Sequence, residues 1–458
     1  MKQVFVVSSW LQLLSISTTV RNERIASAEE RVLIVSDTRA VNEVGASFAE
    51  QPISAPLLDV FDRVIDYNSW IWPQHPSQWS PRVNEQPMWS KALLRAWDLA
   101  DCHVQLFIES VQGNPAQALS CIFTDAEIFV HSDGLMTYGP TRSNLPPQLW
   151  QRLSGLIYMD LVPGVEPLLL SEFADLDRIA LGPTELRAEV ERVAAAVDTS
   201  ELRVHEDACM IVGQYLADVS LFTLEQETEL YEQMIDQAIS SGHRHIYLKP
   251  HPSASQSIQS ALQHRARLRG VSFDVVPAYL PVELAALVLT PNSIYSCFST
   301  GMVTAWRLFG IPARAFGTRD AMEEFRPFEN SNRIPVTICD YLFTDGTSDE
   351  EPLQEVVNAV SYCMQAQILP HLRGSTADFL HRSLPQYRHC FKRRRLTKLR
   401  LPGSLPPPSR AQQVRGLGRR TARSGLEALR SSGQLVQRTA DLLNSQAKRI
   451  RQRAGERK

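Results

Sequence analysis

Short, wholly apolar runs recur along the chain, each bounded by polar residues and followed by a longer segment of helical periodicity. A continuous apolar run of this kind suits a parallel strand buried on both faces. The first is Val4-Phe5-Val6-Val7, which a helix-length segment through Val20 separates from Val32-Leu33-Ile34-Val35. Further strands are predicted over 61–65, 103–107 and 126–130, with helices between them, of which 89–99 and 186–197 are the clearest. A polar stretch at 198–206 interrupts the series and is the candidate hinge. A second series follows, with strands over 209–212, 245–248, 272–276, 294–297 and 313–316. Helices over 225–240, 257–266, 283–287 and 301–309 alternate with them. The β-α-β order predicts an α/β protein whose parallel sheets are covered by helices. Two series in tandem predict two Rossmann-like domains facing a cleft, over 1–200 and 201–385.

Length agrees with this division, because 458 residues exceed what one core sustains. The N-terminal apolar stretch, with Lys2 before it and Ala26-Ser27-Ala28 after it, has the outline of a signal peptide. Gln3, Ser8 and Ser9 interrupt it, and Arg21, Glu23 and Arg24 place charge where a cleavage region is neutral, so a first strand and helix are predicted instead. No stretch reaches the ~20 apolar residues of a membrane span. Seven scattered cysteines without a C-x-x-C pair fit reduced thiols in a cytoplasmic protein.

Charge changes the picture at the C-terminal end. The net charge is −3, but residues from Phe391 onward hold 19 Lys/Arg and 3 Asp/Glu, a balance of +16. The preceding residues carry −19. Lys392-Arg393-Arg394-Arg395 and 402–408 read as a basic linker, and 386–458 as a basic tail, helical or disordered. Within it Leu426, Leu429, Val436, Leu443 and Ile450 place a thin apolar stripe on a basic helix, although Gly425 and Gly433 weaken it. Such a segment suits an anionic membrane surface and peripheral attachment at its inner face. No nucleic-acid partner is expected.

Three segments carry candidate chemistry. His131-Ser132-Asp133-Gly134 follows a strand, where Asp133 is placed to act as a general base, although Asp-Gly is also a common turn. In Lys249-Pro250-His251-Pro252 two prolines fix the backbone around an imidazole that can hydrogen-bond or protonate a leaving phosphate oxygen, with Lys249 adding charge. The same residues also make a rigid surface loop. Ser299-Thr300-Gly301 sits between a strand and a helix, which suits a phosphate and equally an ordinary N-cap. Two patterns are set aside. Asp175-Leu176-Asp177 matches a metal-binding D-x-D by chance among loop residues, and His243 and His245 flank a strand start as surface residues do.

Taken together and in order, these segments resemble the bacterial α-2,8-polysialyltransferases. Val6-Val7-Ser8-Ser9, His75-Pro76-Ser77, Glu109-Ser110 and Asn330-Ser331-Asn332-Arg333-Ile334-Pro335 add to the likeness, which covers about residues 1–340 in scattered blocks. The resemblance implies a GT-B fold and inverting transfer of sialic acid from a CMP-sugar donor to a glycan acceptor, lipid-linked or envelope-bound. It implies no metal and no cofactor. It makes Asp133 the base beside Gly134, and His251, with Lys249 and Pro252, the assistant to CMP departure. It assigns Ser299 and Thr300 to the phosphate and Glu283, in Leu280-Pro281-Val282-Glu283, to the ribose hydroxyls. The family's acidic pair before the glycine is reduced here to one, since Ser132 takes the first place. Two rival readings share these residues: a CDP-glycerol glycerophosphotransferase, and a non-catalytic nucleotide- or sugar-binding relative.

Overall fold

The computed structural model describes residues 1–39, 47–132, 134–251, 256–344 and 352–405. Asp133, Pro252 and the expected helix over 426–450 lie outside them. Seven parallel strands form the first sheet: β1 Lys2–Val7, β2 Glu30–Val35, β3 Arg63–Asp66, β4 Val104–Ile108, β5 Glu127–Ser132, β6 Leu153–Met159 and β7 Asp177–Leu181. Their order is β3-β2-β1-β4-β5-β6-β7. Five more form the second: β8 Ala208–Val212, β9 His245–Lys249, β10 Ser272–Val275, β11 Ser293–Ser296 and β12 Ala313–Ala315, ordered β10-β9-β8-β11-β12. The fold is α/β, with two Rossmann-like parallel sheets facing a cleft.

The pleat explains how the apolar runs are used. Successive residues of a strand face opposite sides, so a strand covered on both faces must be apolar throughout. Phe5 and Val7 face the Trp10–Arg21 and Pro183–Ala196 helices, whereas Val4 and Val6 face the Gln86–Ala96 helix. Phe5, Phe107 and Phe129 stack across β1, β4 and β5, with centroids 4.4 and 4.9 Å apart. Gly155 on β6 is demanded by that stack, since a Cβ there would stand 2.8 Å from the Phe129 ring. The N-terminal segment folds as β1 and the helix that Ser9 caps, its Oγ accepting from the Gln12 amide at 3.2 Å.

Beyond β12 the chain returns to the first half. Ile334, on the Arg333–Phe343 helix, packs so closely on Gly139 that a Cβ there would lie 2.9 Å from Ile334 Cγ1. Gln365 Nε2 donates to the Arg142 carbonyl at 2.7 Å. The body runs to Gly403, so residues 386–403, expected within the tail, belong to it. The basic linker expected at 392–395 is the start of a helix, Arg393–Leu399, with Leu396 fully buried. Charge count misleads here because Arg395 is used structurally. It donates to the Cys363 and Met364 carbonyls at 2.5 and 2.8 Å, closing the C-terminal end of the Leu353–Met364 helix. All seven cysteines are free. No helix among the described residues is long and apolar enough to cross a membrane.

Candidate active site

Open parallel sheets bind ligands beyond the carboxyl ends of their strands, where the strand order reverses. That reversal lies between β1 and β4 in the first sheet and between β8 and β11 in the second. A cavity of about 640 Å³ opens at both points. Ser132 and Gly134, Glu109 and Ser110 line it from the first half; Gln214, Tyr215, His251, Ser299 and Thr300 line it from the second.

The two faces meet at Gly134. A Cβ on this residue would stand 3.2 Å from Thr300 Oγ1, so the Asp-Gly turn and the Ser-Thr segment touch across the cleft. The turn is closed by Thr137, whose Oγ1 donates to the Gly134 carbonyl at 2.6 Å and lies 2.6 Å from Ser132 Oγ. Ser132 therefore takes the place of an acidic residue while serving the turn itself. The described first-half carboxylate in the cavity is Glu109, just past β4, whose Oε1 accepts from Ser8 Oγ at 3.0 Å. Glu109 stands in no catalytic motif of the sequence, because only the pairing of β4 with β5 brings it to the cavity.

On the second face Ser299 is the N-cap of the Thr300–Phe309 helix, its Oγ accepting from the Gly301 amide at 3.2 Å. The N-cap and phosphate readings coincide, since a capped helix start facing a cavity offers amides, hydroxyls and the positive end of the dipole together. Gly301 is required there, because a Cβ would lie 2.8 Å from Val282. Gln214 fixes the segment before the cap, its Oε1 accepting from the Phe298 amide at 3.0 Å. The Gln214 amide in turn donates to Tyr231 Oη at 2.7 Å. Glu227 accepts from the Leu216 and Ala217 amides at 3.1 and 2.7 Å. Burial, opposed by these bonds, raises its carboxyl above the usual range.

His251 packs on Tyr215, ring centroids 4.1 Å apart. Burial first, and the Lys249 charge second, lower its pKa from the ordinary 6.5 to about 4. The imidazole is thus neutral at pH 7 and able to donate a hydrogen bond into the cavity. Lys249 does not line the cavity. Its ammonium donates to the Pro250 and Ala278 carbonyls at 2.8 and 3.2 Å, holding the strand exit, and burial lowers its pKa to about 8. Glu283 is also buried behind the site, where Oε1 accepts from Thr304 Oγ1 at 2.6 Å and ties two helices together. The expected ribose contact is therefore absent from the cavity lining, since a Leu-Pro turn places the next acid in a helix's first turn, here packed against Thr304. Asp175 and Asp177 stand clear of the cavity, Asp177 opening edge strand β7.

Arg142 and Arg326 add positive charge to the lining. Arg333, fully buried, supports the wall that carries Arg326: its Nε donates to the Phe328 carbonyl at 3.0 Å and its guanidinium lies 4.2 Å from the Phe328 ring. Among the described residues, the one grouping of three potential metal ligands is His205, His245 and Asp274, none of which lines this cavity.

Several solved structures align with part of the chain. The GT-B domain of a sialyltransferase from Photobacterium damselae aligns at a TM-score of 0.36 and 11% identity, over 66% of this chain and 88% of that one. A 2,6-sialyltransferase from a Vibrionaceae Photobacterium species, solved with CMP and lactose, gives 0.36 and 11% over 65% and 68%. The UDP-GlcNAc 2-epimerase of Methanocaldococcus jannaschii gives 0.42 and 11% over 69% and 83%. No curated protein sequence matches the chain. The model of the α-2,8-polysialyltransferase family matches residues 3–317, a span that holds both sheets and every cavity residue discussed above except Arg326 and its support Arg333. The chain belongs to that family and is a glycosyltransferase.

Proposed function

We propose that the chain transfers sialic acid, or a closely related sugar, from a CMP-linked donor to a hydroxyl of a glycan acceptor, with inversion and without a metal in the cavity. The approach of Gly134 to Thr300 carries this reading, since it sets the candidate base's turn against the candidate phosphate cradle. Asp133 takes the acceptor proton as the acceptor oxygen attacks the anomeric carbon. The bond from that carbon to the CMP phosphate breaks, and its electron pair leaves on the phosphate oxygen. Ser299, Thr300 and the helix amides meet the growing negative charge, with His251 donating from its neutral ring. The neutral His251 ring keeps its N–H and only hydrogen-bonds the departing phosphate oxygen, so CMP leaves as its dianion while the acceptor proton stays on Asp133. Arg142 and Arg326 suit the carboxylate of a sialic-acid donor.

A donor screen decides between this reading and its rivals. Purified protein incubated with CMP-sugars, nucleotide diphosphate sugars and CDP-glycerol should release CMP from a CMP-sugar, with chelator present throughout. Turnover with CDP-glycerol alone would replace the reading, and no turnover with any donor would favour the binding-protein alternative. Restoration by Mg²⁺ of activity lost to chelator would overturn the metal-free mechanism.

The tail is proposed to rest on anionic lipid. Residues 406–458 hold 13 Lys/Arg and 3 Asp/Glu, and each cation near such a surface contributes about 1 kcal/mol. Full-length protein should sediment with phosphatidylserine vesicles at low salt and release at high salt, whereas residues 1–405 stay in solution. Equal partitioning would remove the membrane from the account.

A further inference from the structure

His245 opens β9 at the end of the second sheet away from the cavity. It is 3% exposed, yet neither ring nitrogen has a hydrogen-bond partner among the described residues. A buried imidazole left this way is costly, and such a group calls for an explanation. Its Nε2 stands 3.3 Å from Asp274 Oδ2 on neighbouring strand β10. The same oxygen lies 3.4 Å from Nε2 of His205, which comes from the segment joining the two sheets. The His205 backbone is held in place, its amide donating to Tyr247 Oη at 2.7 Å. Tyr247 Oη donates onward to the Arg203 carbonyl at 2.8 Å.

Two imidazoles and one carboxylate thus bring three ligand atoms within 4.8 Å of one another. A tetrahedral ion with bonds of about 2.1 Å separates its ligand atoms by about 3.4 Å. The two nitrogen–oxygen distances match that edge. Nitrogen donors disfavour Ca²⁺ and Mg²⁺, which take oxygen ligands, and suit zinc. The half-exposed Asp274 leaves the fourth position open to water. The His205 and His245 rings are stacked, with centroids 3.7 Å apart and planes 11° apart, so they must splay for both lone pairs to reach one ion. His205, partly exposed on its connecting segment, has the freedom to do so.

We propose that His205, His245 and Asp274 bind a zinc-like divalent cation that clips the inter-sheet connection to the edge of the second sheet. The ion is structural. It lies across the sheet from the cavity, so it leaves a metal-free transfer mechanism untouched. Sequence spacing hides this site, because it directs the eye to His243 and His245, whereas His243 Nε2 lies 2.8 Å from Ser293 Oγ.

Full-length protein without an affinity tag, titrated with Zn²⁺ by calorimetry, should bind one equivalent and melt at a higher temperature. Co²⁺ in its place should show the visible bands of a four-coordinate N/O site. His205→Gln at a partly exposed position and Asp274→Asn at an exposed one should fold normally, weaken Zn²⁺ binding about tenfold or more and abolish the thermal shift. Absence of Zn²⁺ binding by the wild type would overturn the proposal, and so would variants that bind as the wild type does. Transfer activity is a separate readout, unaffected by chelator whichever way the titration falls.

Discussion

The cleft presents two faces built by the same rule and finished differently. Each lies past the carboxyl ends of parallel strands at a reversal of strand order. On the second face the polar groups are locked to one another: Gln214 holds the Phe298 amide, Tyr231 holds the Gln214 amide and Glu227 holds the two amides that follow. The described residues of the first face are bonded in separate pieces, Glu109 to Ser8, Gln112 to the Arg142 amide, and a turn closed by Thr137. Preorganised donors are most effective where charge appears, and they lose effect if they must reorganise. On the function proposed above, a face bonded as one network suits a phosphate of fixed shape, and one bonded in pieces suits a more varied acceptor.

The sharpest way to break this comparison is to remove the proposed base from the first face. Asp133→Asn should lower transfer by about 10²–10⁴-fold while CMP affinity, measured by calorimetry, is kept. Transfer within a few-fold of wild type would take the acid–base role away from that face.

Acid titration comes next, because each half holds one desolvated histidine close to the cleft. His131, fully buried with Nε2 donating to the Val6 carbonyl at 2.8 Å, is lowered to about 4 by burial, as is His251. Folding keeps both neutral, so their contribution is complete above the unfolded value of 6.5 and is lost as pH falls towards 4. About 3 kcal/mol for each is the expected scale. Urea melts across that window should show stability falling with pH, and His251→Phe and His131→Phe should each flatten part of the slope. CMP should raise the titration of His251 and leave that of His131 where it is, as imidazole NMR would report. Equal shifts at both rings would erase the distinction between the faces.

A smaller effect is expected from the phosphate cradle. Ser299→Ala with Thr300→Ala should weaken CMP binding by about 1–3 kcal/mol, since hydrogen bonds to a charged group are lost. Unchanged affinity would leave the helix start as a cap and nothing more. The smallest test addresses the contact itself. Gly134→Ala pushes a methyl towards Thr300 Oγ1, so its cost should shrink in a Thr300→Ala background, and a double-mutant cycle should be non-additive by about 0.5–1 kcal/mol. Additivity would mean that the two faces do not touch in solution.

Much of this architecture was readable from periodicity. Strands buried on both faces, such as 4–7 and 209–212, announce themselves because no polar residue is tolerated in them. Edge strand β7, Asp177–Leu181, does not, since most of its residues reach solvent. β6, Leu153–Met159, was missed although apolar, because Gly155 breaks the run to admit the Phe129 ring. Local motifs carry Gly134, His251, Ser299 and Thr300 to the cavity lining. The sequence does not announce Glu109, Gln214 and Arg333, whose places depend on neighbours distant along the chain. Lys249 and Glu283 were assigned by motif to ligand contact and are instead buried as supports, because sequence shows which residues are adjacent and not which way they turn.

The return of the chain to the first half has a mechanical meaning. The halves are joined through the segment before β8, again where Ile334 seats on Gly139 and Gln365 reaches the Arg142 carbonyl, and again where Arg307 meets Asp160 at 3.3 Å. One apolar core also runs through both. With several ties, the register of Gly134 against Thr300 is kept by the whole seam rather than by any one of them, so cutting a single tie should loosen the cleft without parting its walls.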